Sequence, residues 1–220
     1  MTAPGALLGV YRTLELIGKG GYSEVWSAWD TRLNRMIALK IIPRDQAPLE
    51  SVVHFTREAI IITRLEHPNV LPLYDFGEME TYYYLVMRYV TGGSLSSRIH
   101  NKPMSPAEVL RLMQPISAAL DYIHTHQIVH RDVKPGNILL DAQNLPYLTD
   151  FGLAKSLSED TQQMNSGSGT LYFMSPEQLN NMAISIKSDQ YSFGITLFQL
   201  FTGTLPLNGE YVFALRQANF

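Results

Sequence analysis

The stretch from Ile128 to Leu140 constrains this chain more than any other. His130-Arg131-Asp132-Val133-Lys134-Pro135-Gly136-Asn137 sets an acid, a base and an amide within eight residues. Apolar Ile128-Val129 and Ile138-Leu139-Leu140 frame them. Two short β-type runs around a loop containing Pro and Gly predict a tight turn whose polar groups project from a buried base. Taken alone, the pattern also describes an ordinary polar turn between strands, so the rest of the chain has to decide.

The chain has 220 residues, 45% of them hydrophobic, enough for one or two domains with a real core. A net charge of −3 argues against nucleic acid or an anionic membrane surface as a partner. Cysteine is absent, which excludes disulfides and Cys-based zinc sites and suits a reducing compartment. The N-terminus lacks the basic and apolar regions of a signal peptide. The most apolar long stretch, Tyr191 to Leu207, is interrupted by Ser192, Gln199, Thr202 and Gly203. A membrane span needs roughly 20 mainly apolar residues, so this stretch reads as a buried helix and its exit.

In chain order, Leu14 to Ile17, Trp26 to Trp29 and Met36 to Lys40 read as antiparallel strands around a glycine turn at Gly18 to Val25 and a polar turn at Asp30 to Arg35. Ser51 to Leu65 has helical spacing, with Val52, Phe55, Ala59 and Ile62 as its buried stripe. Leu71 to Phe76 and Tyr82 to Val86 complete a five-stranded sheet with one helix. Strand gives way to turn at Thr91-Gly92-Gly93-Ser94. Ser105-Pro106-Ala107-Glu108 is a capping box opening a helix with Val109, Leu112, Ile116, Leu120 and Ile123 on one face and Pro115 as an expected kink. His124 and His126 lack a carboxylate or third His at a metal-binding spacing and are not read as a metal site. Tyr147-Leu148-Thr149 is a further strand, and Ser156 to Thr170 has the composition of a mobile loop. Ser188-Asp189 starts a helix from Gln190 to Phe201, closed by Gly203.

The spacing of Asp132 and Asn137 resembles the H-R-D-x-x-x-x-N catalytic loop of protein kinases. Other pieces of that pattern stand in the same order. Gly18-Lys19-Gly20-Gly21-Tyr22-Ser23-Glu24-Val25 resembles the glycine-rich loop, with Ser23 where a third glycine is usual. Ile37-Ala38-Leu39-Lys40 is similar to V-A-I-K, Asp150-Phe151-Gly152 to D-F-G, and Ser175-Pro176-Glu177 to A-P-E. Lys134 is similar to the serine/threonine branch, and the local flavour resembles bacterial members.

The resemblance implies an α+β, two-lobed kinase fold. Residues 11–90 would be a nucleotide-binding lobe with a five-stranded antiparallel sheet and one main helix. Residues 91–220 would be a mostly helical lobe lacking its last helices. It implies ATP as phosphoryl donor and Mg²⁺ or Mn²⁺ on Asn137 and Asp150. Asp132 would orient and deprotonate the acceptor hydroxyl, with Lys134 on the γ-phosphate. Lys40 would hold the α- and β-phosphates and pair with Glu58. Gly18, Lys19, Gly20, Gly21, Tyr22, Ser23 and Glu24 would cover the phosphates. Ile17, Val25, Ala38 and Leu139 would sandwich the adenine. Met87 would close the back of that pocket, with the Arg88 carbonyl and the Val90 amide on the adenine edge. Thr170 would contact Asp132 and Lys134, and Asp189 would hold the His130-Arg131 backbone.

The expected activity is phosphoryl transfer to Ser or Thr hydroxyls of protein substrates, in a cytoplasmic chain without a membrane segment of its own. An anchor beyond residue 220 is left open. Autophosphorylation is expected within Thr161 to Ser168, at Ser166 first and Thr161 next, against a cationic trio of His54, Arg131 and Lys155. The chain is expected to be a fragment, with Glu177 lacking a partner and uncovered Leu197, Leu200, Phe201, Val212, Phe213 and Leu215 favouring self-association. The rival readings are a pseudokinase-like ATP-binding module and a small-molecule kinase of the same fold.

Overall fold

Strand alternation organises the first half of the chain. In the computed structural model β1 (Leu7–Leu8), β2 (Tyr11–Lys19), β3 (Glu24–Asp30), β4 (Arg35–Pro43), β5 (Leu73–Glu78) and β6 (Tyr82–Arg88) form one antiparallel sheet. Its order is β1-β2-β3-β4-β6-β5. The structure describes residues 2–20, 23–44, 56–57, 59–99, 102–151 and 169–206. One of the six strands was not expected. Leu7–Leu8 pairs with β2 across a two-residue turn, where Gly9 takes a φ of 61°. Hairpin turns of this length need positive φ at their first central residue, and glycine supplies it without strain. The Thr13 hydroxyl also fixes this edge by donating to the Ala3 carbonyl at 2.7 Å.

Successive side chains on a strand point to opposite faces. Tyr11, Trp26, Ala28, Ile37, Leu39, Ile41 and Val86 form a buried cluster on one face. The cross-strand pairs Val25↔Lys40, Lys40↔Leu85 and Ala38↔Met87 line up on the other. Full burial of each large apolar side chain stabilises by about 1.5–3 kcal/mol, so the cluster fixes the register. Slipping by one residue would drive Lys40 into it. Helix α1 is described at residues 56–57 and 59–62, with Ala59 and Ile62 buried as expected. Val52, Phe55 and Glu58 lie outside the described residues.

The second half is organised by helices. Helix α2 (Pro106–Thr125) opens on Ser105, whose side chain accepts from the Glu108 N–H, and runs through Pro115 without interruption. Its buried face carries Val109, Leu112, Met113, Ile116, Ala119, Leu120 and Ile123. β7 (Ile138–Leu140) pairs with β8 (Pro146–Leu148) as a separate two-stranded sheet. Ile128-Val129, expected as a strand, is irregular: the Ile128 N–H closes on the Ile123 carbonyl of α2 at 3.0 Å, leaving no ladder to join. The Gly92 N–H donates to the Leu140 carbonyl at 2.8 Å. A Cβ on Gly92 would meet the Leu140 and Asp141 carbonyls at 2.5 Å, so this contact needs glycine.

A short helix, α3 (Pro176–Leu179), and a long one, α4 (Ile186–Thr202), follow in this half. Helix α4 begins four residues before the expected Gln190 because Ser185, not Ser188, is its cap. Ser185 and Ser188 exchange capping bonds across the first turn, and Gly203 closes the helix at φ 78°. Leu200, expected to lack cover, is fully buried, whereas Phe201 is exposed. Val212, Phe213 and Leu215 lie outside the described residues. The described residues divide into two compact units. One holds residues up to Glu66 and Leu71–Val90, the other His67–Val70 and the described residues from Thr91 onward. Among the described residues, no helix is long and apolar enough to cross a membrane.

Candidate active site

The loop between α2 and β7 is held from beneath by one carboxylate. Asp189, on the first turn of α4 and 1% exposed, accepts from the backbone N–H of His130 at 2.7 Å through Oδ2 and of Arg131 at 2.8 Å through Oδ1. His124 Nε2 donates to Oδ2 at 2.8 Å. Three donors on one buried carboxylate compensate its loss of water. They also hold Arg131 at a φ of 67°, a region that costs a non-glycine residue roughly 1–2 kcal/mol.

His130 is wholly buried and works through both ring nitrogens. The Thr149 carbonyl can only accept, so Nε2 donates to it at 2.9 Å. The Asp132 backbone N–H can only donate, so Nδ1 accepts from it at 3.3 Å. The ring is therefore the neutral Nε2–H tautomer. Burial pushes its pKa below the ordinary 6.5, against the pull of Asp189, Asp132 and the Thr149 carbonyl. The Phe151 ring packs on it at 4.9 Å between centroids. An unfolded chain binds a proton at this residue near pH 6.5 while the folded chain does not. Its contribution to stability is thus complete above that pH and is lost as pH falls below it. Burial lowers His67 in the same direction. Ring-proton NMR should show His130 still neutral where an unburied imidazole has titrated; ordinary titration of His130 would contradict the buried tautomer.

This frame presents Asp132. Its Oδ2 receives the Lys134 ammonium at 2.9 Å and the Asn137 amide at 2.7 Å. The Asn137 amide also donates to the Asp132 carbonyl at 2.8 Å. The acid, base and amide of the sequence motif are thus one cluster. The Thr149 N–H donates to the Asn137 carbonyl at 3.0 Å, and Asp150 is the next residue along the chain. Asp150 has a φ of 58°, which aspartate tolerates better than most residues. Asn137 and Asp150 offer hard oxygen donors, the set that Mg²⁺ or Mn²⁺ accepts. Among the described residues there is no group of three His, Cys, Asp or Glu that could cage an ion. The remaining ligands would then be waters and phosphate oxygens.

The first unit carries the other predicted residues. Val25, Ala38, Lys40 and Met87 share the sheet face opposite the buried cluster, with Lys40 and Met87 each 8% exposed. Gly18 pairs with Val25 and Lys19 with Glu24, and Ile17 at the adjoining irregularity is 45% exposed. The Gly20 N–H donates to the Ser23 carbonyl at 2.8 Å; Gly21 and Tyr22 lie outside the described residues. The Arg88 N–H donates to the Pro72 carbonyl at 3.0 Å, and Val90 follows in irregular chain. In the second unit Leu139 lies half-buried on β7. Glu58, Gly152, residues 153–168 with Lys155, and His54 lie outside the described residues, as does the side chain of Thr170.

Residues 11–218 match the protein kinase domain family. The chain belongs to that family. This protein kinase domain is 43% identical over 205 residues to the serine/threonine-protein kinase PrkC of Bacillus subtilis, covering 92% of this chain and 32% of that protein. It is 36% identical over 214 residues to a probable serine/threonine-protein kinase PknB of Lactococcus lactis, covering 96% of this chain and 34% of the relative. It is also 36% identical over 219 residues to the serine/threonine-protein kinase PknB of Mycobacterium tuberculosis, covering 96% and 35%. The kinase domain therefore spans about a third of the length of the curated relatives it matches. The family uses ATP and a divalent cation and acts on proteins.

Two residues of the kinase domain have partners that the sequence does not show. His124, read from the sequence only as no metal ligand, sits on Asp189, 65 residues away. Glu177, expected to lack an arginine partner, accepts a bond the sequence does not show: the Ser188 hydroxyl donates to its Oε1 at 2.5 Å. Burial pushes the Glu177 carboxyl up, but hydrogen bonds from Ser188, its own backbone N–H and Ser175 outweigh this and hold it below the usual carboxylate range. A third, Gln178, has no role assigned by the sequence beyond the bacterial flavour of the run Ser175 to Leu179. The spacing Ser175-x-x-Gln178 is a capping-box signature, which was the available signal.

Proposed function

We propose that this chain is the catalytic domain of an ATP-dependent serine/threonine protein kinase. The observation that carries the reading is the Asp132 carboxylate gripped by Lys134 and Asn137 on a loop pinned by Asp189. Residues 11–90 serve the nucleotide, and residues 91–220 supply the reacting carboxylate and the substrate-docking segment. Asp132 orients the acceptor hydroxyl and takes its proton as the oxygen bonds to the γ-phosphorus and the β–γ bridging oxygen leaves with ADP. Lys134 steadies the γ-phosphate. Lys40, paired with Glu58, holds the α- and β-phosphates beneath the backbone of Gly18 to Val25. Ile17, Val25, Ala38 and Leu139 are assigned to the adenine faces, Met87 to the back of its pocket, and the Arg88 carbonyl and Val90 amide to its edge. Asn137 and Asp150 hold Mg²⁺ or Mn²⁺. A bound divalent ion supplies neutralisation of phosphate charge. Catalysis is then positioning together with electrostatic stabilisation.

Autophosphorylation within Thr161 to Ser168 belongs to the same reading. The test is incubation with γ-labelled ATP and Mg²⁺ on mixed peptides bearing Ser, Thr or Tyr. Label on Ser and Thr supports the reading. Transfer confined to Tyr or to a small-molecule alcohol rejects it.

A further inference from the structure

Gln178, the third residue of α3, reaches out of its own helix. Ser175 is the cap, and its Oγ accepts from the Gln178 N–H at 3.4 Å. In return Gln178 Oε1 accepts from the Ser175 N–H at 3.1 Å and its hydroxyl at 3.3 Å. The cap thus uses only the oxygen of the glutamine amide, and a glutamate would serve it equally well. The amide nitrogen goes elsewhere: Nε2 donates to the Arg131 carbonyl at 2.9 Å.

That carbonyl belongs to the peptide joining Arg131 to Asp132. The preceding peptide N–H, on Arg131, is held by Asp189. Arg131 is therefore gripped on both sides while it occupies the left-handed region. Rotation about this residue swings the Asp132 carboxylate, and two bonds on opposite flanks oppose that rotation. Asp189 is one anchor and Gln178 is the other.

We propose that Gln178 is a positioning residue for Asp132, coupling α3 to the reacting loop through the Arg131–Asp132 peptide. The proposal rests on Asp132 being the reacting carboxylate. Its decisive variant is Gln178→Glu, which keeps the oxygen needed by Ser175 and sets an oxygen against the Arg131 carbonyl. The companion is Ser175→Ala, which breaks the cap and leaves Nε2 on Arg131. Misplacing a reacting group by an ångström costs on the order of 10²-fold. Gln178→Glu should therefore lower kcat by about 10- to 100-fold, with KM for ATP unchanged and Tm near wild type. Ser175→Ala should lower Tm and leave kcat within about twofold, since it touches the helix start alone. Amide hydrogen exchange at Asp132 should quicken in Gln178→Glu and not in Ser175→Ala. Wild-type kcat and exchange in Gln178→Glu would overturn the proposal. So would a kcat that follows Tm alike in both variants. An inactive wild-type chain would instead refute the kinase reading, and the exchange comparison would still decide whether Gln178 fixes this peptide.

Discussion

Asp189→Ala should unfold the catalytic loop before it touches any reacting group. The substitution strands the backbone N–H groups of His130 and Arg131, and it removes the carboxylate on which His124 rests. Each buried donor left without an acceptor costs about 1–3 kcal/mol, against a total domain stability of about 5–15 kcal/mol. The left-handed conformation of Arg131 would then lose its Asp189 anchor and keep the Gln178 bond to its carbonyl. The expected result is a loss of several kcal/mol in denaturant unfolding and no detectable turnover. Asp189→Asn keeps one oxygen but turns an NH₂ toward one of the donors, so it should fall between wild type and alanine. Wild-type stability and turnover in Asp189→Ala would show that the loop holds itself.

The second large effect lies at the phosphates. Lys40→Ala and Asp150→Asn should each lower turnover by on the order of 10²–10³-fold or more, the scale set by removing one preorganised electrostatic contact. Asparagine is the better test at Asp150, because the residue sits at φ 58° and asparagine, unlike alanine, tolerates that backbone. Asp150→Asn should keep its melting temperature, bind metal-free nucleotide as wild type does, and lose the tightening that Mg²⁺ brings. Lys40→Ala should keep the Mg²⁺ response and weaken nucleotide binding itself. Calorimetric titration with and without Mg²⁺ separates the two. An undiminished Mg²⁺ response in Asp150→Asn would remove Asp150 from the metal site.

The parts of this fold that follow from local physics were legible in the sequence. The alternation in β3 and β4 locates the buried cluster, and hence the face on which Lys40 lies. Ser105-Pro106 starts α2, and Gly203 ends α4. The spacing of Asp132, Lys134 and Asn137 anticipates a cluster that the structure closes within 2.9 Å. What escaped the sequence depends on distant partners or on fine competition between equals. Leu7–Leu8 is too short to show a period, and it exists because β2 offers an edge and Gly9 a turn. Ser185 and Ser188 are equally good caps by composition, and only Ser188's own capping bond back to Ser185 decides which of them starts α4. Ile128-Val129 has strand-like residues, but the Ile128 amide goes to α2 and that of the adjoining His130 to Asp189. The partners of His124 and Glu177 both lie on the first turn of α4 and cannot be found by spacing.

Asp132, held by Lys134 and Asn137, is proposed to take the proton of the hydroxyl that receives the phosphoryl group. A single-turnover assay with γ-labelled ATP, Mg²⁺ and a Ser/Thr peptide, comparing wild type with Asp132→Asn, tests it most directly. The account predicts label on the peptide with wild type, and a drop of about 10²–10⁴-fold in Asp132→Asn at unchanged ATP affinity. Equal transfer by the two proteins would contradict it.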